Sequence, residues 1–473
     1  MYRKVDEHII ERLEAIVTSK GVIRDAEKLI DYAGDEFPDP SIRRPPEVVV
    51  KPRTSAQVSE ILKLASQERI PVTPRGAGTG LCGGCVPLYG GIVLSLEEMN
   101  QILEIDGQNM ITVAEAGVTL GNLQEAAAEA GLFFPPHPGD ESAQLGGLVN
   151  TNASGARAVK YGGVRNYVKG LEVVLPTGEI ITLGGKHLKD STGYSLLNLL
   201  IGSEGTLGVV TKVVLSLLPK PQAVYTLVVP YESLDSAIKA VPEIRNKALP
   251  MAIEFIEHEV IPPAEELLGK RWPCRAKAYL MIMVDGTSDA EVLRILESIG
   301  DICLRHGAAI QDVGELCIAD TPRKQEDILD IRSSLYLALR KNMIEVLDIV
   351  VPPARIAEYV AEVHRISERY DLWLPNYGHT ADGNVHTHLM KVKPSEGKPS
   401  QEIPGWGEKY PLVRKELHQK AKELGGMVSG EHGIGLVKKE YLPLFIHPTQ
   451  IKLMREIKKL FDPKNILNPG KIF

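Results

Sequence analysis

The sequence predicts an α+β protein with more than one domain. Its 473 residues are enough for two or three domains with large cores. In the first half, short strand-like stretches and helical periodicity are separated by long glycine-rich loops. From Val224 to about Gly425 the pattern is that of a separate open-sheet α+β domain, and Pro219-Lys220-Pro221 marks the boundary. We therefore predict domains over residues 1–220 and 221–425, followed by a C-terminal helical segment over 426–473.

The composition is that of an ordinary globular protein, with 44% hydrophobic and 24% charged residues. A net charge of −7 gives no electrostatic footprint for nucleic acid or for an anionic membrane. The sequence shows neither an apolar run of roughly eighteen residues nor an apolar signal core near its N-terminus. We therefore expect a cytoplasmic protein without a transmembrane segment. Peripheral membrane attachment through partners stays open, as does a homo-oligomer.

The elements follow from periodicity and from the residues that bound them. Prolines bound the strand within residues 45–52, and Thr54 or Ser55 caps a helix over 54–69. The further predicted helices are 7–19, 119–130, 235–246, 289–306, 355–370 and 448–461. The further predicted strands are 70–74, 91–96, 111–117, 209–215, 224–229, 278–284 and 308–313.

Three glycine loops stand out in the first half. Residues 78–83 match the G-x-G-x-x-G pattern, which in dinucleotide-binding folds leads directly into a helix. Pro87 and a predicted strand follow instead, so we reject that interpretation. The closely spaced amides of residues 75–80 still suit an anion. Two more glycine loops, 138–155 and 202–208, are also joined to strands, and together the three favour a large phosphorylated cofactor lying across them.

Cys82 and Cys85 form a Cys-x-x-Cys pair at the first of these loops. The pair is either a redox or metal pair or two small residues in a tight turn. No second cysteine pair is spaced for a zinc knuckle, and the five cysteines fit a reducing compartment. We favour the second interpretation.

Three histidines within ten residues form the clearest chemical cluster: His379, His386 and His388. Asp382-Gly383 predicts a two-residue hairpin turn, which would place His379 directly opposite His386 with Cβ atoms roughly 5 Å apart. His388 would share their face by strand alternation. Two imidazoles, with Glu431 from another segment, would leave a metal an open position for substrate. The alternative is that these histidines only form local hydrogen bonds.

The glycine loops and the segment Asn465–Lys471 resemble those of flavin-binding oxidoreductases of the vanillyl-alcohol oxidase and p-cresol methylhydroxylase type, over nearly the whole chain. The resemblance implies a two-part FAD-binding domain to which the C-terminal segment returns, and an α+β cap domain for the substrate. Residues 75–84 contain no histidine, so it implies FAD held without a covalent bond. The cofactor contacts that it implies are Arg75, Gly76, Ala77, Gly78, Thr79, Gly80, Pro138, Gly139, Gln144, Gly146, Gly147, Ser154, Gly155, Glu204, Gly208, Val210 and Asn468.

Residues 378–386 and 430–435 resemble the G-H-x-x-D-G-N-x-H and G-E-H-G-I-G patterns of the glycolate oxidase large-subunit and D-lactate dehydrogenase branch. The resemblance implies a divalent metal, zinc first with iron or manganese as alternatives. It also implies a catalytic base beside the flavin and a residue that touches the substrate. The metal ligands would be His379, His386 and Glu431, the base His432, and the substrate contact His388.

Arg332 is the candidate for the substrate carboxylate. Its sequence context alone fits a surface charge on a helix, whereas the resemblance implies a carboxylate-binding arginine. A guanidinium can bind a carboxylate with two parallel hydrogen bonds. Relatives that take a dicarboxylate carry a lysine before the position of Asp348, and residues 345–348 contain none. We therefore expect a monocarboxylate.

Together these features predict FAD- and metal-dependent oxidation of a D-2-hydroxy acid, lactate-like or glycolate-like, to the 2-oxo acid. Electrons would pass to a separate acceptor, such as an electron-transferring flavoprotein, an iron–sulfur subunit or a quinone. Three alternatives stay open. The chain could be a flavoprotein electron-transfer subunit of a larger dehydrogenase complex, a flavin-free metallohydrolase, or a non-redox alkyl-transfer enzyme of the same fold.

Overall fold

The computed structural model of the chain describes residues 2–312, 317–395 and 398–473. They form two compact units. The first unit comprises Met1–Ser154, Gly163–Lys220 and Glu431–Phe473, and the second comprises Gly155–Gly162 and Pro221–Gly430.

The first unit contains two main sheets. One has four strands in the order β1-β2-β4-β3, parallel except for the β1–β2 pair, and the other is antiparallel in the order β5-β6-β10-β8-β9. The strands are Val22–Ile23 (β1), Val48–Val50 (β2), Val72–Arg75 (β3), Ile92–Ser95 (β4), Ile102–Asp106 (β5), Ile111–Glu115 (β6), Leu132–Phe133 (β7), Val168–Val174 (β8), Ile180–Gly184 (β9), Val209–Ser216 (β10) and Leu218–Pro219 (β11). The helices are Glu7–Val17, Ala26–Leu29, Ser55–Glu68, Leu120–Glu129, Leu145–Thr151, Leu196–Leu200, Leu442–Phe445 and Pro448–Phe461.

The helix Ser55–Glu68 shows how local sequence sets these elements. The Thr54 hydroxyl accepts a hydrogen bond from the Gln57 N–H at 3.2 Å and so caps the first turn. The predicted apolar stripe is fully buried, and Arg69 ends the helix in the left-handed conformation. The buried residues of this stripe are Val58, Ile61, Leu62 and Ala65.

The loop after β3 contains no helix. It runs from β3 directly to β4, the neighbouring parallel strand, which confirms the rejection of a Rossmann-type motif. The C-terminal segment lies along the same strand, because the Val72 N–H donates to the Ile466 carbonyl at 2.8 Å and the Asn468 N–H donates to the Val72 carbonyl at 2.7 Å. Residues far apart in sequence therefore meet at the start of β3, the strand that leads into this loop.

The second unit is built on an antiparallel seven-stranded sheet in the order β15-β12-β14-β13-β17-β18-β16. Its strands are Ala223–Tyr231 (β12), Ala252–Glu257 (β13), Ala278–Gly286 (β14), Cys317–Ala319 (β15), Met343–Val350 (β16), Asn376–His379 (β17) and Asn384–Met390 (β18), and a separate pair is formed by Val392–Ser395 (β19) and Lys398–Glu402 (β20). Its helices are Ala158–Tyr161, Leu234–Ala248, Ile261–Leu268, Asp289–Arg305, Pro322–Arg340, Ile356–Tyr370 and Trp406–Glu423.

The strand expected over residues 308–313 is wrong. Ala308 forms only an isolated bridge with Tyr231, and the edge strand is β15, which pairs with β12. The reason is the C-cap of the preceding helix: Gly307 has a φ of +79°, and the Ala308 N–H donates to the Cys303 carbonyl at 3.0 Å. Val313 lies outside the described residues.

The register of the β17–β18 hairpin also differs from the prediction. His379 pairs with Asn384 and His386 pairs with Tyr377, so residues 380–383 form a four-residue loop. A two-residue type I′ turn needs positive φ at both central residues, but here only Gly383 has it. Hydrogen bonds to neighbouring segments hold the loop instead. The Thr380 N–H donates to the Ile253 carbonyl on β13, and the N–H of Val351, directly after β16, donates to the Gly383 carbonyl. His379 and His386 nevertheless lie on one face, as diagonal neighbours.

We predict that Gly383→Ala destabilises the protein by about 2 kcal/mol or more, because Gly383 has a φ of +92° and a Cβ there would lie 1.9 Å from the Val351 carbonyl oxygen. Urea unfolding measures the loss. The matched control is Gly407→Ala on the helix Trp406–Glu423, where a Cβ meets no atom within 4 Å. Equal stability of the two variants would contradict the loop geometry described here.

Candidate functional site

The first unit contains a cavity formed by all three glycine loops. Most of the cofactor contacts expected from the sequence line it: Arg75, Gly76, Ala77, Gly78, Thr79, Gly80, Pro138, Gln144, Gly146, Gly147, Ser154, Glu204, Val210 and Asn468. Gly139, Gly155 and Gly208 are not among the lining residues. Gly208 serves packing, because a Cβ there would lie 2.5 Å from Val173 Cγ1, and Gly155 belongs to the second unit.

The polar groups of this cavity fit a phosphorylated, hydrogen-bonding cofactor. Within the described chain, the backbone N–H groups of residues 77–80 donate no hydrogen bond. Gln144 Oε1 and Asn468 Oδ1 are buried and accept none from the described residues. Buried polar groups need partners, so a ligand with acceptor oxygens at the loop and donors at the two amides matches the lining.

Arg75 is fixed behind the first loop. Its guanidinium donates to the carbonyls of Gly34 and Asp31, donates to Cys85 Sγ at 3.1 Å, and lies 5.4 Å from the centre of the Tyr32 ring. These contacts place a permanent positive charge beside the loop.

Asp35 is a cavity residue that sequence reasoning missed. Its carboxylate accepts the N–H groups of Gly84 at 2.9 Å and Phe37 at 3.3 Å. Burial raises its pKa to about 6, although these backbone donors act in the opposite direction. No local pattern distinguishes Asp35 from other loop aspartates, since its neighbours in the fold come from the distant glycine loop.

Glu431 and His432 also line the cavity of the first unit. Glu431 Oε1 lies 3.8 Å from His432 Nε2, and both side chains are mostly buried. The segment that follows is anchored by Glu204, whose carboxylate accepts the N–H groups of Ile434 and Gly435 at 2.7 Å each. An imidazole is therefore held at the wall of the cofactor-sized cavity, where it could move a proton.

The histidines of β17 and β18 form a second cluster, in the second unit. His379 Nε2 lies 3.4 Å from His386 Nε2, and the two rings meet edge to face. His388 is fully buried; its Nδ1 lies 3.1 Å from the Pro375 carbonyl oxygen, and its ring centre is 4.8 Å from that of Tyr377. Two ring nitrogens thus face each other at a distance that a shared cation would accommodate.

Glu254 is the decisive residue that sequence reasoning missed. It lies on β13, fully buried, and its Oε1 is 2.5 Å from His379 Nδ1. Its Oε2 accepts from Arg332 Nε at 2.9 Å and also from Nη2 of the same guanidinium. Burial alone would raise the carboxyl pKa, but the charges of His379 and Arg332 outweigh it and lower the pKa to about 2. An anion is therefore held at the Nδ1 side of His379.

Arg332 lies at this cluster rather than on the surface. Its guanidinium carbon is 4.7 Å from the centre of the Tyr377 ring, and its side chain is only 16% exposed. The salt bridge to Glu254 and the stacking on Tyr377 fix the plane of the guanidinium.

A second buried carboxylate, Asp348, is the reference position for the lysine that residues 345–348 lack. Asp348 Oδ1 lies 4.0 Å from His386 Nδ1 and accepts from Asn384 Nδ2 at 2.8 Å. Its Oδ2 accepts from Ser429 Oγ at 2.6 Å and from the Gly430 N–H at 3.0 Å. Asp348 therefore holds the residues that directly precede Glu431 in the chain.

Comparison with known proteins decides the family. The family described as FAD linked oxidases, C-terminal domain, matches residues 220–472, and the family described as FAD binding domain matches residues 46–184. The chain belongs to the FAD-linked oxidases. The family thus confirms FAD as the cofactor and FAD-linked oxidation as the class of reaction.

Several relatives of this FAD-linked oxidase match it along nearly their whole length. A D-lactate dehydrogenase of Archaeoglobus fulgidus is 46% identical over 93% of this chain and 95% of its own. A D-lactate dehydrogenase of Anaerostipes hadrus is 39% identical over 100% and 98%, and the glycolate oxidase subunit GlcD of Bacillus subtilis is 38% identical over 92% and 90%.

Solved structures confirm the fold class of this FAD-linked oxidase. p-Cresol methylhydroxylase aligns with a TM-score of 0.77 at 17% identity, covering 98% of this chain and 96% of that one. An alkyldihydroxyacetonephosphate synthase aligns with a TM-score of 0.74 at 19% identity, covering 99% of this chain and 86% of that one.

Among the described residues, no helix combines the length and the apolar character needed to cross a membrane.

We predict that Gly147→Leu weakens FAD binding by tenfold or more. Gly147 lines the cavity, and a Cβ there meets no protein atom within 4 Å, so a larger side chain would occupy ligand space without disturbing the core. Flavin fluorescence quenching on titrating FAD into the apoprotein measures the affinity. Gly407→Leu is the matched control, a helical glycine with equally open surroundings. An unchanged affinity of Gly147→Leu would show that the cavity is not the cofactor site.

Proposed function

We propose that this FAD-linked oxidase oxidises a D-2-hydroxy monocarboxylate, lactate-like or glycolate-like, to the 2-oxo acid. The observation that carries the proposal is the histidine pair: two Nε2 atoms 3.4 Å apart, one ring bound at Nδ1 by a buried carboxylate that also binds Arg332. The names of the relatives supply the substrate class, and the A. fulgidus D-lactate dehydrogenase shares 46% identity. A cation site next to an arginine suits a substrate with a hydroxyl and a carboxylate.

The proposed cation site uses His379, His386 and Glu431, with zinc as the first candidate and iron or manganese as alternatives. Two nitrogens bound tetrahedrally at about 2.0–2.1 Å from zinc lie about 3.3–3.4 Å apart, which matches the separation of the two Nε2 atoms. Glu254 accepts the Nδ1–H of His379 and so leaves the Nε2 lone pair for a cation. Glu431 is assigned from the G-E-H-G-I-G motif. A divalent cation held there would supply Lewis acidity to the substrate hydroxyl.

Arg332 and His388 are proposed as substrate contacts. The guanidinium would bind the substrate carboxylate, and the stacking on Tyr377 would keep it in one orientation. His388 lies against the same tyrosine and would form a wall of the substrate site. Residues 345–348 supply no lysine for a second carboxylate, which supports a monocarboxylate.

His432 is proposed as the general base. It lines the cofactor cavity and would take the proton of the 2-hydroxyl group. FAD, when bound, supplies the acceptor for the hydride from C2. The substrate thereby loses one proton and one hydride and becomes the 2-oxo acid.

We further propose that the electrons leave to a separate acceptor, such as an electron-transferring flavoprotein or an iron–sulfur subunit. The chain has five cysteines, and their spacing matches no iron–sulfur binding motif. Only an external acceptor would then reset the enzyme for another turnover.

The test is anaerobic flavin reduction by D-lactate, L-lactate, glycolate, malate and 2-hydroxyglutarate, each added to the metal-replete protein. We expect D-lactate or glycolate to bleach the flavin absorbance, and the two dicarboxylates to do so at least tenfold more slowly. Prior removal of metal with a chelator should abolish bleaching, and added zinc should restore it. The variant His432→Ala should keep its bound FAD, and its rate of flavin reduction should fall by about 10²-fold or more, because a general base contributes a factor of about that size.

Absence of bleaching by all five acids would refute the proposed substrate class. Fast bleaching in His432→Ala would refute the role of that residue alone. Bleaching that survives complete metal removal would refute the cation site.

We predict that Glu254→Gln lowers zinc affinity by about 10- to 100-fold, since the amide no longer offers an anion to the Nδ1–H of His379. Isothermal titration of zinc into the metal-free protein measures the affinity without any turnover. The control is Glu257→Gln on the same strand, whose carboxylate binds His364 at 2.8 Å on the opposite face. Equal zinc affinities of the two variants would show that Glu254 does not support the cation site.

A further inference from the structure

The turn that carries His432 is held from one side by a side chain that the sequence interpretation left without a role. Cys82 is 2% exposed, and its Sγ donates to the His432 carbonyl at 3.1 Å. The Cys82 carbonyl in turn accepts from the Leu436 N–H at 2.8 Å. Cys82 thus bonds to the chain on both sides of Gly433 and Gly435.

Glu204 holds the C-terminal end of the same turn. Its two carboxylate oxygens accept the N–H groups of Ile434 and Gly435, each at 2.7 Å. Glu204 is itself fixed, because its own N–H donates to the Asn150 carbonyl at 2.8 Å. The turn is therefore held by a residue of the third glycine loop, 202–208.

The closeness of these contacts explains one glycine of the motif. A Cβ at Gly435 would lie 2.1 Å from the Cys82 carbonyl oxygen and 2.8 Å from its Sγ, and the φ of Gly435 is +52°. Only a residue without a side chain allows the turn to lie this near to Cys82.

The two cysteines of the Cys-x-x-Cys pair have different partners. Cys85 Sγ accepts from Arg75 at 3.1 Å, whereas Cys82 Sγ bonds to the His432 carbonyl. Burial raises the pKa of the Cys82 thiol well above its usual value, so the thiol keeps the proton that it donates. Cys85 therefore contacts Arg75 at the first glycine loop, and Cys82 contacts the turn that carries His432.

We propose that Cys82 and Glu204 are positioning residues for His432: they clamp the Gly430–Gly435 turn so that the imidazole keeps its place at the wall of the cofactor cavity. The inference rests on the proposed role of His432 as base. Cys82 contributes one directional hydrogen bond and one backbone acceptor, and Glu204 contributes a charge-assisted pair.

The experiment compares Cys82→Ser with Cys82→Ala, which differ only in a hydrogen-bond donor. Hydrogen–deuterium exchange of residues 430–438 in the FAD-loaded protein reports on the clamp without turnover. We expect exchange about five- to tenfold faster in Cys82→Ala and within about threefold of wild type in Cys82→Ser, which is the effect of one hydrogen bond. The rate of flavin reduction at saturating substrate should fall by about the same factor in Cys82→Ala, with FAD still bound, and should be rescued in Cys82→Ser.

Cys317→Ser, on edge strand β15 of the second unit, controls for the loss of a thiol as such and should match wild type. Equal behaviour of Cys82→Ser and Cys82→Ala, whether at wild-type level or equally impaired, would overturn the hydrogen-bond clamp. If Cys82→Ala does not fold, Glu204→Gln serves in its place: faster exchange at 434–435 is expected, and unchanged exchange overturns the proposal. If no hydroxy acid reduces the wild-type flavin, the proposed function fails, while the exchange comparison still decides the clamp.

Discussion

A buried carboxylate must be surrounded by positive charge and hydrogen-bond donors, and among the described residues Glu254 meets this requirement with the side chains of Arg332 and His379. The ion pair with Arg332 and the short contact with His379 keep it ionised inside the seven-stranded sheet. Removing either partner would leave the buried charge only partly compensated. The orientation of the first histidine and that of the arginine are therefore not independent, because both depend on the position of one carboxylate.

The same logic appears at Asp348 and Glu204, although their donors are mainly backbone amides. Asp348 accepts the N–H of Gly430, and Glu204 accepts the N–H groups of Ile434 and Gly435. Backbone amides of this segment thus donate to one buried carboxylate in each unit, Asp348 in the second and Glu204 in the first. Glycine at several positions lets the backbone come close enough to donate to them. Precision in this segment comes from fixed acceptors rather than from regular secondary structure.

The sequence predicted best what depends on local chemistry. The helix Ser55–Glu68 follows from a threonine cap and an apolar stripe, and the rejected Rossmann motif follows from the strand after the loop. The hairpin register failed because neighbouring strands, through Ile253 and Val351, bind the loop and outweigh the turn preference of Asp382-Gly383. Glu254 and Cys82 were not assigned a role for a related reason: each acts on a residue more than a hundred positions away, and single-sequence patterns carry no record of such contacts.

The strand-like contact between Val72 and the segment at Ile466–Asn468 has a consequence for how the protein matures. Asn468 lines the cofactor cavity, and so do residues as early as Asp35. A ribosome-bound chain that has not yet reached Asn468 lacks one wall of this cavity, however well its first sheets have folded. The complete cavity therefore forms only after Asn468 has been synthesised.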